Sequence, residues 1–222
     1  MAKLKTKLVS WDDVVAWSRG LAKKVHESGY KPDIVVAVAR GGFVPARLIC
    51  DFLLIDNLLS IQSQHWTEAA KAEDRAVIKF PYKIDLSDRK VLLVDDIVDT
   101  GESLALARNY IYNNWNAKEV RIAVLQWISS VAKFKPDYYF MEVKEWVWFQ
   151  YPWTRLEDTF QLFKRILKEE GKYKKEWTYE ELVAKFMEWY ELDVGSEYFR
   201  EAIELLVRHG LLRKAGDKYL VP

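Results

Sequence analysis

Two carboxylates, Asp95 and Asp96, stand directly behind the apolar run Val91-Leu92-Leu93-Val94, and the chain then reads Ile97-Val98-Asp99-Thr100-Gly101-Glu102-Ser103-Leu104. A short continuous apolar run is the pattern of a strand buried on both faces, so it delivers the two acids to its carboxyl end. In open α/β sheets, ligands sit just outside that end. The turn that follows offers hydroxyls and backbone N–H groups at the start of a helix, a cradle for a phosphate dianion. Asp95 and Asp96 suit a different task, accepting hydrogen bonds from sugar hydroxyls. Carboxylates repel a phosphate, so sugar and phosphate require separate subsites.

A second loop, Ala39-Arg40-Gly41-Gly42, ends the apolar run Ile34–Ala39. Arg-Gly-Gly by itself is an ordinary turn. Behind a second buried strand, its glycines let backbone N–H groups approach anionic oxygens while Arg40 adds charge. Two such loops ending two buried strands reinforce each other.

The elements that must position these loops follow from periodicity. Apolar residues recur at helical spacing from Val14 to Val25, and Gly29 stops that helix. Ile34–Ala39, Val91–Val94 and Val120–Leu125 are the buried strands, and Leu58–Gln62 is a further one. Helices are expected over Val44–Leu54 and Glu102–Asn113, and edge strands over Tyr138–Val143 and Trp146–Phe149. His65–Asp74 is polar without a strand period and reads as a mobile loop or loose helix. Strands alternating with helices predict the α/β class, with a mainly parallel sheet flanked by helices. After Thr154 the pattern changes to three helices, Leu156–Glu170, Tyr179–Glu191 and Glu197–His209. Thr178 with Glu181 forms a capping box for the second, and Ser196 is the candidate cap of the third. Leu211-Leu212 and Tyr219–Val221 flank an Ala-Gly-Asp turn, which predicts a closing hairpin. The expected organisation is a catalytic domain over residues 1–154 and a small helical, winged-helix-like domain over residues 155–222.

Half of the 222 residues are apolar and ten are Trp, which is ample for a packed core and argues against disorder. The single Cys50 excludes an internal disulfide and fits a reducing interior. Residues 1–13 carry lysines without a continuous apolar stretch, so no secretory signal is read there, and no apolar run approaches a bilayer span. A net charge of +1 gives no electrostatic reason to expect nucleic acid.

Val91–Leu104 resembles the phosphoribosyl diphosphate (PRPP) signature of type I phosphoribosyltransferases: a hydrophobic strand, two acids, two spacers, Asp-Thr-Gly, one spacer, and a hydroxyl supplied by Ser103. Ala39–Gly42 resembles the diphosphate loop of the same family. Phe43-Val44-Pro45-Ala46-Arg47 and Trp148-Phe149-Gln150-Tyr151-Pro152-Trp153 are similar to the 6-oxopurine branch, of the short xanthine-guanine type and its archaeal relatives. The resemblance covers Trp11 to about Trp153.

It implies the type I fold and transfer of phosphoribose from PRPP to a purine. Asp95 and Asp96 hold the ribose hydroxyls, with Asp96 reaching Mg²⁺ through water. Asp99 is the catalytic carboxylate near N7 of the base, general base or proton-holding partner. Thr100, Gly101, Glu102 and Ser103, with Asp99, bind the ribose 5′-phosphate side. Arg40, Gly41 and Gly42 hold the diphosphate, with a cis peptide before Arg40. Ile97, Trp148 and Phe149 bind the base, Trp148 by stacking. His65–Asp74, with Lys71, lies where the family has a closing hood. A cytoplasmic homodimer without membrane or nucleic-acid partners is expected.

One position departs from the pattern. The 6-oxopurine branch carries a lysine after the strand equivalent to Val120–Leu125, aimed at the exocyclic oxygen. Here Leu125-Gln126-Trp127-Ile128-Ser129-Ser130 puts Ile128 or Ser129 in that slot. A lysine only donates, so it selects a carbonyl over an amine. Its absence favours adenine, as in an archaeal adenine phosphoribosyltransferase on this frame, unless Lys133 bends back to serve. In that case the chain is a hypoxanthine, guanine or xanthine enzyme.

A non-catalytic alternative is a PRPP-sensing regulator with a DNA-binding tail. The tail from Arg155 to Pro222 carries 13 Lys/Arg against 14 Asp/Glu, where a DNA reader is clearly basic. A structural or dimer-supporting tail fits better.

Overall fold

The computed structural model describes residues 4–68 and 71–222, with the side chains of residues 64–68 and 71–75 outside that description. In chain order the elements begin β1 (Thr6–Leu8), α1 (Trp11–Glu27), β2 (Ile34–Ala39), α2 (Phe43–Leu53), β3 (Leu58–Glu68), β4 (Lys71–Lys79), β5 (Lys90–Val98), α3 (Glu102–Trp115), β6 (Glu119–Ile128) and β7 (Tyr138–Val143). They continue with β8 (Trp148–Gln150), α4 (Arg155–Glu170), β9 (Glu176–Thr178), α5 (Tyr179–Tyr190), α6 (Ser196–Arg208), β10 (Arg213–Ala215) and β11 (Lys218–Leu220). Two compact units form: one takes residues 11–67 and 71–146, the other joins residues 4–10 and Glu68 to residues 147–222. No helix among the described residues is long and apolar enough to cross a membrane.

The larger unit is a six-stranded sheet in the order β4-β3-β2-β5-β6-β7. β2 pairs parallel with both β3 and β5, and β5–β6 and β6–β7 are parallel too. Every residue of β2 is buried, as a strand covered by helices on both faces requires. Side-chain alternation sorts the core. Val36, Val38, Val91, Leu93, Ile122 and Val124 cluster with Leu104, Ala107, Ile111 and Trp115 of α3. Val35, Ala37, Leu92, Val94, Ala123 and Leu125 are equally buried and, by the two-residue period, face the other side. That side is covered by α1 and α2, which pack on each other.

Strand order decides where a ligand can go. From β2 the chain crosses through α2 to β3 on one side. From β5 it crosses through α3 to β6 on the other. The adjacent pair β2–β5 is therefore the topological switch point, and its carboxyl ends border the crevice where such sheets bind ligands.

Three expectations are corrected. The backbone of residues 65–68 and 71–74, read as a loop or loose helix, belongs to β3 and β4; sheet pairing satisfies their polar backbone whatever the side-chain pattern. The expected hood otherwise lies outside the described residues, as does the side chain of Lys71. The segment read as an edge strand over Trp146–Phe149 is β8, and its partner is β1, in register Thr6↔Trp148 to Leu8↔Gln150. Ser196 does not cap α6: the cap is Gly195, at φ 92°, whose N–H is held by the Asp193 carboxylate at 2.9 Å.

The smaller unit packs α4, α5 and α6 around Phe163, Phe186 and Phe199, whose rings meet at centroid distances of 4.8 to 6.0 Å. Strands β10-β11-β9 form a small antiparallel sheet beside them. Leu4 and Leu8 pack on the same core, and the Thr6 hydroxyl donates to the Tyr190 carbonyl at 2.8 Å.

Helix α5 starts with the expected capping box: Thr178 accepts from the Glu181 N–H, and Glu181 accepts from the Thr178 N–H. Thr178→Ala leaves one of these donors unsatisfied and is expected to cost about 1 kcal/mol. Denaturant unfolding followed by amide exchange within α5 measures it, and a loss near zero would mean that water replaces the cap.

Candidate active site

The two glycine-bearing loops meet at the ends of β2 and β5. The β2–β5 register ends at Ala37↔Val94, whereas β5 continues beside β6 through Asp95↔Val124, Ile97↔Gln126 and Val98↔Trp127. Asp95 and Asp96 therefore lie inside a strand, not after it, where β5 has lost one neighbour and kept the other. The vacated side is taken by the chain leaving β2. The Ala39–Arg40 peptide is cis, and the Gly42 N–H returns to the Val38 carbonyl at 2.8 Å.

The glycines are dictated by contact. A Cβ on Gly41 would lie 2.7 Å from the Asp96 carboxyl carbon, and one on Gly42 would lie 2.6 Å from the Val38 carbonyl oxygen. Real Cβ atoms do not come so close, so only glycine lets this loop touch the acid-bearing strand. Arg40, Gly41 and Gly42 are thus brought beside Asp96.

Asp96 is only 8 % exposed, and its N–H donates to the Asp95 carboxylate at 3.0 Å. Burial, and then the neighbouring Asp96 carboxylate, hold the Asp95 carboxyl well above the usual carboxylate range. Asp99 begins the turn, accepting the Thr100 N–H. Gly101, at φ 85°, caps α3 without a side-chain acceptor, so the first N–H groups of the helix, at Glu102 and Ser103, point to the loop. The Thr100 hydroxyl lies 3.5 Å from the Glu102 N–H. Carboxylates and helix-start amides thus occupy consecutive stretches of one segment.

The expected base-binding residues divide between the two units. Ile97 is half-buried on β5. Trp148 and Phe149 lie on β8 in the smaller unit. Phe149 is buried. Trp148 donates its N–H to Lys5, and Gln150 accepts from Val9, so Phe149 turns its own backbone groups to the edge away from β1. Of the two positions in the lysine slot, Ile128 is 1 % exposed and Ser129 is half-buried; only Ser129 has solvent-facing surface.

One arrangement was not legible in the spacing. Lys133 does not reach back along β6. Its ammonium binds the Glu102 carboxylate at 2.5 Å and its N–H donates to the Thr100 carbonyl at 3.1 Å. Phe134 covers Gly101 so closely that a Cβ there would lie 2.6 Å from its ring. No local pattern links residues that are 31 apart in the chain.

A doubly wound sheet with an acid-bearing strand end, a helix start rich in amides and a glycine loop is chemically suited to a phosphorylated sugar. Residues 6–157 match the model of the phosphoribosyl transferase domain, and the chain belongs to that family, with the type I fold. It is 32% identical to the xanthine-guanine phosphoribosyltransferase of Cereibacter sphaeroides, over 65% of this chain and 84% of that protein. The crystal structure of a purine phosphoribosyltransferase from Pyrococcus horikoshii superimposes with a TM-score of 0.56 at 32% identity, covering 67% of this chain and 93% of the other. A Helicobacter pylori xanthine-guanine-hypoxanthine phosphoribosyltransferase shares the fold, with a TM-score of 0.57 at 23% identity and the same coverage of 67% and 93%.

The carboxyl pair yields a prediction for the protein free of substrate and metal. A pKa raised by folding means that the Asp95 contribution to stability is present below the ordinary carboxylate pKa and is lost as pH rises through the folded value. Asp95→Asn is therefore expected to melt higher than the wild type at neutral pH, with the gap narrowing as pH falls. Melting curves across pH test this. A less stable variant at neutral pH would mean that the Asp96 N–H bond outweighs the repulsion.

Proposed function

We propose that the protein transfers phosphoribose from PRPP to a purine, with 6-oxopurines as the preferred acceptors. The observation that carries the first half is the contact between the Arg40–Gly42 loop and the acid-bearing strand at the β2–β5 switch point. It brings Arg40 and two glycines against Asp96, which supports an anion subsite beside sugar-binding carboxylates. The second half rests on relatives named for xanthine and guanine, one of them similar over 154 residues and two over 111 and 112. The adenine preference drawn from the missing lysine rests on one position and gives way to that similarity.

In this reading Arg40, Gly41 and Gly42 hold the leaving diphosphate. Asp95 and Asp96 hold the ribose hydroxyls. Thr100, Gly101, Glu102 (through its N–H) and Ser103 bind the 5′-phosphate. Trp148 stacks on the base, Ile97 lines it, and the Phe149 backbone offers a donor and an acceptor to its edge. A ring nitrogen of the base bonds to the anomeric carbon as the bond to diphosphate breaks. The proton released from the base passes to Asp99, and positive charge developing on the ribose is stabilised by the nearby carboxylates.

A hard divalent cation suits the oxygen-only pair Asp95–Asp96, where the charges already repel. Mg²⁺ keeps several of its waters and is bound through one or two carboxylates together with substrate phosphates. Asp96 would contact it through water, and the ion would neutralise the leaving group.

Incubation with PRPP, Mg²⁺ and each purine in turn tests the assignment. The expected result is a kcat/KM for xanthine, guanine or hypoxanthine at least about tenfold above that for adenine. An adenine preference would overturn the base assignment, and tight PRPP binding without turnover on any purine would favour a PRPP sensor. Ser129→Lys is expected to raise the 6-oxopurine-to-adenine ratio by a further tenfold or so. Ile128→Lys would bury an ammonium and is expected to unfold the domain before it changes selectivity.

Asp99→Asn separates chemistry from binding. Loss of the proton acceptor is expected to lower kcat by roughly 10²–10⁴ while PRPP affinity by calorimetry stays within a few-fold. Unchanged turnover would remove Asp99 from the mechanism.

A further inference from the structure

We propose that Lys133 is a ligand of the substrate's 5′-phosphate, exchanging Glu102 for the phosphate when PRPP binds. This rests on the phosphoribosyl-transfer reading and adds a residue that lies outside the signature segment.

Charge is the first reason. Between Val91 and Leu104 stand Asp95, Asp96, Asp99 and Glu102, with no Lys or Arg among them. A phosphate dianion entering the turn at Thr100–Ser103 meets helical N–H groups but also these carboxylates, and Glu102 is the first residue of α3. The amides and helix dipole supply partial charge. No side chain of this segment supplies a full positive charge.

Lys133 is held in the right place to bring it. Its N–H is bonded to the Thr100 carbonyl at 3.1 Å, so its backbone is fixed to the phosphate turn. The next residue, Phe134, packs on Gly101, and Arg108 of α3 lies over the Phe134 ring at 5.7 Å. Two consecutive residues of the β6–β7 connection are thereby attached to the same turn. The Lys133 ammonium already binds an anion there, the Glu102 carboxylate at 2.5 Å.

The exchange is easy. The Lys133 side chain is 68% exposed and that of Glu102 29%, and an ion pair so open to water contributes little. A phosphate dianion seated on the helix N-terminus is the stronger partner, and its arrival repels Glu102. Lys133 presents a mobile point charge on a flexible stem, suited to changing partners.

The experiment is calorimetric titration of the full-length protein with PRPP, ribose 5-phosphate and inorganic diphosphate, alongside steady-state kinetics. Lys133→Gln is expected to weaken PRPP and ribose 5-phosphate about tenfold or more, leave diphosphate unchanged, and raise the KM for PRPP but not for the base. Lys133→Arg should restore affinity to within a few-fold. Glu102→Gln should act in the opposite direction and tighten ribose 5-phosphate, because it frees the lysine. A pair serving only to hold the turn would make Lys133→Gln and Glu102→Gln weaken binding alike, and that result overturns the proposal. So does a Lys133→Gln variant in which only the KM for the base moves. Wild-type protein binding neither PRPP nor ribose 5-phosphate would remove the phosphoribosyl reading itself. Normal wild-type binding with an unchanged Lys133→Gln overturns this inference alone.

Discussion

Close contact between the Arg40–Gly42 loop and β5 is the constraint on which the site depends. A Cβ at Gly41 or Gly42 would overlap Asp96 or the strand backbone, so any side chain there would push the loop away from the acids. In the proposed reading the loop meets one anion through Arg40 and the Gly41 N–H while the Thr100–Ser103 turn offers amides to another. The Gly42 N–H is used within the loop, on the Val38 carbonyl. β5 and β6 remain paired at this point, with Asp95 opposite Val124. The strain of the arrangement shows in Asp95, whose carboxyl burial and the Asp96 charge push upward.

The smaller unit contains β8, the strand of Trp148. That strand is three residues long, too short to persist without support. It is paired along β1 and tied to α4 by Gln150, which is fully buried and donates to the Thr159 hydroxyl at 3.2 Å. Thr159 in turn donates to the Arg155 carbonyl at 2.7 Å, and the Arg155 guanidinium donates to the Val9 carbonyl at 2.8 Å. Most of the helical core behind this network lies past residue 157, where the family match ends. The extension therefore holds the strand that carries Trp148, a role that needs no basic surface and is compatible with its balanced charge.

In the proposed reading, sugar, phosphate and diphosphate are recognised largely through backbone amides and acids whose spacing within a short segment is fixed, whereas base selection depends on single side chains and on exposed backbone edges. Ser129 can donate or accept, so its presence leaves the choice of purine to its surroundings. This is why the missing lysine pointed one way and the similarity to relatives named for xanthine and guanine points the other.

The sequence alone determined the elements whose signals are local. Ile34–Ala39 is a strand because six consecutive small or β-branched apolar residues suit burial on both faces, and β2 has those bounds. The capping box at Thr178 and Glu181 was legible for the same reason, since both partners lie within one helical turn. The signature from Asp95 to Ser103 and the Arg40–Gly42 loop could be recognised as residues. Only the tertiary structure placed them side by side, through the β2–β5 register. It also decided that β8 pairs with β1, that Phe149 is buried, and that Lys133 binds Glu102. Each of these joins residues far apart in the chain, and such contacts are set by packing and strand pairing across the fold rather than by local propensity.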